Sequence, residues 1–81
     1  MYLEEVRKIV GEVLGLGTRT AALQEDSALL GSLSELDSMG VVQLITALES
    51  HFGLTVNDDE IGADTFATLG TLARFVERKL T

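Results

Sequence analysis

Cysteine, proline and tryptophan are absent from this 81-residue sequence, and histidine occurs once, at His51. Without cysteine there is no disulfide, no thiolate nucleophile and no sulfur ligand for a metal. A single histidine excludes a multi-histidine metal site. Basic side chains are also scarce: Arg7, Lys8, Arg19, Arg74, Arg78 and Lys79 are the full set, and none lies between residues 20 and 73. Nucleic acid and anionic lipid surfaces are both bound through cationic contacts, so neither is an expected partner. No apolar run approaches the roughly 18 residues of a membrane span, and stable membrane insertion is not expected. Glu4 and Glu5 interrupt the N-terminus, unlike a secretory signal, so the expected location is the cytoplasm.

What the chain has instead is acid. The net charge is -7, and the stretch without basic residues holds Glu25, Asp26, Glu35, Asp37, Glu49, Asp58, Asp59, Glu60 and Asp64. Such a surface attracts partners with basic patches and speeds their encounter, although solubility alone is a simpler use for it. The length suits one domain over residues 1–81, expected to be a monomer. A domain of this size buries roughly 60% of the surface that its unfolded chain exposes. It can hold one modest core, but hardly a deep substrate pocket and a catalytic constellation as well. A binding or carrier role is therefore favoured over an enzyme.

Apolar spacing predicts an all-α fold, a small four-helix bundle with three main helices and one short one. Leu3, Val6, Ile9, Val10, Val13 and Leu14 form one face of a first helix over residues 2–14, closed by Gly15 and Gly17. Residues 16–36 form a long connection, a length that is usually functional. Leu23, Leu29, Leu30, Leu33 and Leu36 are expected to pin it to the core. Asp37 caps a second helix over residues 38–52, with Val41, Leu44, Ile45, Leu48 and Phe52 as its core stripe and Gly53 as its stop. Met39, Val42, Gln43 and Thr46 make another stripe on a different face. A short third helix is placed around residues 58–61, capped by Asn57 or Asp58. The last runs over residues 69–80 behind Thr68, with Leu69, Leu72, Ala73, Val76 and Leu80 inward and Arg74, Arg78 and Lys79 toward its C-terminal end.

Few residues offer chemistry of their own. A nucleophilic serine needs a base within hydrogen-bond reach. Ser38 and His51 stand at opposite ends of one predicted helix, roughly 20 Å apart at 1.5 Å per residue. Asp58, Asp59 and Glu60, with Asp64 nearby, are oxygen donors for a hard cation, but they lack the spacing of an EF-hand loop. They equally serve as acids at a helix start, and no metal site is assigned. An Asp-Ser pair before an apolar run is usually an ordinary helix start. Here it follows a long loop, adjoins an apolar stripe and opens a helix whose N-terminal dipole favours a phosphate.

At these residues the chain resembles the acyl carrier protein family. The likeness extends over nearly its whole length. It includes Asp26-Ser27-Ala28-Leu29-Leu30, then Leu36-Asp37-Ser38-Met39, then Val42, Leu44, Leu48-Glu49 and Phe52-Gly53-Leu54, and finally Thr68-Leu69. The resemblance implies that Ser38 is the attachment point of a 4'-phosphopantetheine arm, transferred from coenzyme A by a phosphopantetheinyl transferase. The thiol of that arm would hold acyl or aminoacyl groups as thioesters, and the chain would have no catalytic residues of its own. It further implies that Asp37 belongs to the box read by the transferase, that Met39 and Val42 touch partner enzymes, and that Glu49 meets their basic patches. Those partners would be an acyl- or aminoacyl-loading ligase and acyl-using enzymes. Core packing is the alternative for Met39 and Val42, and an unloaded acidic interaction module is the alternative for the whole chain.

The chain also departs from typical carriers of fatty-acid synthesis. It has Gly40 and Gln43 where they have acids, Thr46 where they have methionine, and Ser50-His51 where they continue acidic. Gly40 weakens the first helical turn by roughly 1 kcal/mol relative to alanine. Residues 37–44 look closer to D-alanyl carrier proteins and to specialised carriers, whereas Asp64-Thr65-Phe66-Ala67-Thr68-Leu69 reads as an ordinary carrier ending.

Overall fold

The computed structural model describes residues 2–81. Three α-helices carry the architecture: α1 over Leu3–Leu14, α2 over Ser38–Phe52 and α3 over Leu69–Leu80. Two 3₁₀ helices, Gly17–Ala22 and Asp58–Glu60, lie in the connections. The first of these is a correction to the sequence reading, which left residues 16–36 without a helix. Its own residues are not buried, so no apolar period announces it.

Capping fixes the helix ends. The Asp37 carboxylate accepts from the Gly40 backbone N–H at 2.8 Å and opens α2. The Thr68 hydroxyl accepts from the Thr71 N–H at 3.0 Å and opens α3. Gly15 and Gly53 end α1 and α2 with φ of 65° and 67°, the left-handed backbone that glycine adopts without a Cβ clash.

Side chains from all three helices meet in one core: Val6, Ile9 and Val10 of α1, Leu44, Ile45 and Leu48 of α2, and Leu69, Leu72 and Val76 of α3. The long connection adds Leu16, Leu23, Leu29 and Leu36, so it is part of the core and not a strap over it. Leu33 is partly buried, whereas Leu30 is 41% exposed and does not join the core. Leu80, expected inward, is 37% exposed, whereas Phe66, ahead of α3, and Phe75, neither of them selected by the spacing, are both buried.

The connection is held along its whole length. Leu29 and Leu30 donate to the Ala67 and Phe66 carbonyls at 2.9 and 3.0 Å, and Ala28 pairs with Thr68 in an isolated antiparallel bridge. Arg7 of α1 donates to the Leu23 carbonyl at 2.8 Å, Arg74 of α3 bonds Glu25 at 3.0 Å, and Arg19 pairs with Glu35. Each α-helix also opens a glycine to the connection. A Cβ on Gly11 would lie 2.2 Å from Thr20 Oγ1, one on Gly40 would lie 2.6 Å from the Glu35 carbonyl oxygen, and one on Gly70 would lie 2.8 Å from that of Glu25. The connection therefore packs against the helix backbones themselves.

The second 3₁₀ helix is tied to α3. Lys79 Nζ reaches Glu60 Oε1 and Oε2 at 2.8 and 3.1 Å, and the Asn57 N–H donates to Oε1 at 2.9 Å. The Lys79 ammonium first, and the Asn57 N–H second, hold the Glu60 carboxyl below its ordinary pKa. A carboxyl whose pKa is lowered by folding contributes stability above its unfolded pKa and loses it as pH falls through the folded one. Lys79→Met is therefore expected to lower the urea midpoint at neutral pH. The gap to wild type should close as pH drops below the ordinary glutamate value of about 4.3. Urea melts of both proteins at neutral pH and near pH 3 check this, and a gap independent of pH would contradict it.

Candidate functional site

Ser38 is the first residue of α2 and is exposed. Two features put it there. Leu36 is buried and anchors the incoming chain. Asp37, in extended conformation with ψ of -169°, turns that chain into the helix. The Asp37 carboxylate is spent on the cap, because Oδ1 takes the Gly40 N–H. The N–H groups of Ser38 and Met39 have no intrahelical acceptor and point out at the helix start. The first turn of α2 contains no acid. An anion joined to Ser38 Oγ would meet the positive end of the helix dipole with no carboxylate inside that turn.

Beside the serine, Met39 is 64% exposed and Val42 57% exposed. The core-packing alternative for these two residues is thereby excluded. Gln43 and Thr46 continue the same exposed stripe, with the Thr46 hydroxyl turned back to donate to the Val42 carbonyl at 3.0 Å. Ser38 thus stands at the end of an uncharged, partly apolar ridge.

Glu49 lies on the same side of α2 but behaves differently. It is half-buried, and its Oε2 accepts from the Val56 N–H at 2.8 Å. That bond fastens the segment after α2 back onto the helix. Part of the carboxylate that the sequence suggested for partners is committed inside the chain.

The remaining polar residues do not converge on Ser38. His51 is exposed near the far end of α2, edge-on to the Phe52 ring at 4.7 Å, while Phe52 meets Tyr2 edge-on at 5.5 Å. Among the described residues, no group of three or more His, Asp or Glu could hold a metal ion. A surface cavity of about 560 Å³ lies beside α3, lined by Gln24, Glu25, Asp26, Thr68, Thr71 and Arg74, and does not include Ser38. No helix of the described residues is long and apolar enough to cross a membrane. Ser38 is presented at an exposed helix start, a geometry suited to a tether.

Sequence reasoning named Gly40 as a weak point of α2 and as a departure from typical carriers, and assigned it no contact. In the structure it is buried between Glu35, Leu14 and the Asp37 cap. The usable signal was its type: an isolated glycine inside a strongly periodic helix often marks a close packing contact.

Comparison with known proteins agrees with this geometry. Residues 4–76 match the family model described as phosphopantetheine attachment site. The acyl carrier proteins of Sinorhizobium fredii and Rhizobium meliloti are each 33% identical over 75 residues, covering 93% of this chain and 90% of theirs. That of Sulfurovum is 34% identical over 74 residues, covering 91% and 92%. The solution NMR structure of the holo acyl carrier protein NE2163 from Nitrosomonas europaea superimposes with a TM-score of 0.92 at 59% identity, covering 99% of this chain and 96% of that one. An exposed serine at a capped helix start, an uncharged ridge beside it, and matches of this extent give one conclusion: the chain belongs to the acyl carrier protein family, whose prosthetic group is 4'-phosphopantetheine.

Proposed function

We propose that Ser38 is the residue that carries the 4'-phosphopantetheine arm, and that the chain delivers thioester-linked acyl or aminoacyl groups to partner enzymes. The observation that carries this reading is the exposed Ser38 hydroxyl at the start of α2, with no acid in the first turn and the Asp37 carboxylate turned to the cap. Those residues fit a phosphodiester. Ser38 Oγ is the atom to be joined, the outward N–H groups of Ser38 and Met39 favour its negative charge, and Asp37 holds the turn. When bound, the arm supplies a terminal thiol on which acyl groups are carried as thioesters.

In the loading step Ser38 Oγ bonds to the phosphorus next to the pantetheine of coenzyme A, and the bond from that phosphorus to the nucleotide part breaks. The hydroxyl proton must go to a base of the transferase, since His51 stands near the opposite end of α2. Met39 and Val42 form the apolar contact for the transferase, for the loading ligase and for acyl-using enzymes. The acids of residues 20–73 steer partners with basic patches. Glu49 serves chiefly to hold Val56, with its other oxygen left for a partner.

Mass spectrometry after incubation with coenzyme A and a broad-specificity transferase tests the proposal. The wild-type chain should gain one phosphopantetheine mass and Ser38→Ala none. A wild-type chain that gains nothing would leave an unloaded interaction module, and a gain that persists in Ser38→Ala would place the arm elsewhere.

A further inference from the structure

We infer that Gly40 is a positioning residue for attachment at Ser38, an inference that rests on the attachment reading above. Gly40 is buried, although it follows the exposed Ser38 and Met39 by only two residues and one residue. A Cβ there would lie 2.6 Å from the Glu35 carbonyl oxygen, 3.3 Å from Leu14 Cδ2 and 3.5 Å from Asp37 Oδ1. The first of these contacts is with backbone, so no side-chain rotation relieves it. The chain entering α2 crosses directly over the missing side chain, only three residues before Ser38. The same residue donates its N–H to the Asp37 cap. The side chain of Glu35, whose carbonyl makes the crossing, pairs with Arg19. The crossing, the cap and the ion pair together fix the direction from which the backbone reaches Ser38.

Alanine is the better helix former, so a glycine that merely filled the helix would be improved by it. The close approach predicts the opposite. Gly40→Ala must move the Glu35–Asp37 segment and with it the turn that aims the Ser38 hydroxyl. Met39 and Val42 stay exposed on the helix, so docking of the transferase should survive while the docked complex becomes less reactive. A misplacement of about 1 Å at a reacting atom can cost as much as a hundredfold in rate.

The experiment measures loading of the full chain by a phosphopantetheinyl transferase with saturating coenzyme A, at a temperature where circular dichroism shows each variant folded. Gly40→Ala is expected to lower kcat about tenfold or more, with KM for the carrier within about twofold of wild type. Gly70→Ala fills the equivalent backbone contact on α3, where a Cβ would lie 2.8 Å from the Glu25 carbonyl oxygen. It should lose stability yet, when folded, load at the wild-type kcat. Wild-type kcat in Gly40→Ala, a change confined to KM, or an equal loss in both variants would overturn the inference. If Gly40→Ala does not fold, Arg19→Gln and Glu35→Gln decide. Each removes the ion pair that holds the crossing residue Glu35 and should lower kcat about two- to fivefold, the kinetic equivalent of an exposed ion pair, with no further loss in the double variant. Wild-type rates in both would overturn it. Ser38→Ala, run alongside, separates the two readings: a mass gain there ends the attachment reading, whereas no gain there with normal loading of Gly40→Ala ends only the positioning one.

Discussion

Leu29→Ala is expected to cost about 2–5 kcal/mol of folding stability, although Leu29 belongs to no helix. A domain of this length has roughly 4–12 kcal/mol in total, so the variant should be marginal or unfolded at 37 °C. Leu29 is 0% exposed. It lies at the bridge where Ala28 pairs with Thr68, and its N–H donates to the Ala67 carbonyl at 2.9 Å. Truncation removes about three heavy atoms' worth of burial and leaves a void, because hydrogen bonds on both sides of the position prevent the connection from collapsing inward. The neighbouring Leu30 is the control. It is 41% exposed, and Leu30→Ala should change stability by about 0.5 kcal/mol or less. Urea unfolding followed by circular dichroism measures both. Equal effects for the two variants would mean that the connection is not an integral part of the core.

The same pair shows where the sequence stops being sufficient. Leu23, Leu29, Leu30, Leu33 and Leu36 announce a connection pinned to the core, and four of these five are buried or partly so. Which of two adjacent leucines points inward is decided by the bridge to Thr68, since neighbouring residues of an extended chain face opposite ways. That partner lies forty residues away, and no local pattern contains it. By contrast, α2 and α3 fall on the predicted spans because both are written locally, with Asp37 and Thr68 as caps and leucines at helical spacing. The site divides similarly. Ser38 is legible through its Asp-Ser box and cap, and the exposure of Met39 and Val42 follows once the opposite stripe enters the core. The partners of Glu49 and Gly40 are not legible, because the bond from Val56 and the passage of Glu35 are tertiary contacts, although a lone glycine inside a periodic helix marks a close approach of some kind. The first 3₁₀ helix is missed for the same reason: its place is set by Thr20 resting on Gly11, not by any apolar period.

That last contact supports the second large effect. Gly11→Ala is expected to destabilise the fold by more than about 2 kcal/mol, against the roughly 1 kcal/mol of helix propensity that alanine would otherwise bring. The new Cβ would lie 2.2 Å from Thr20 Oγ1, 2.3 Å from Cγ2 and 2.7 Å from Cβ. Rotation about χ1 moves the first two atoms but not the third, so the backbone of Gly17–Ala22 must retreat from α1. Leu16 and Leu23 flank that segment and are both buried, so the retreat would also disturb the core on either side. Thr20→Gly removes all three clashing atoms. In a double-mutant cycle, Gly11→Ala should therefore be far less harmful, or even favourable, on the Thr20→Gly background, with a coupling of about 1–3 kcal/mol. Thr20→Ala keeps the Cβ and should rescue much less. Urea midpoints of the single and double variants give the coupling directly. A coupling near zero would mean that the 3₁₀ helix does not rest on α1 at Gly11, and that the long connection is held by its leucines and ion pairs alone.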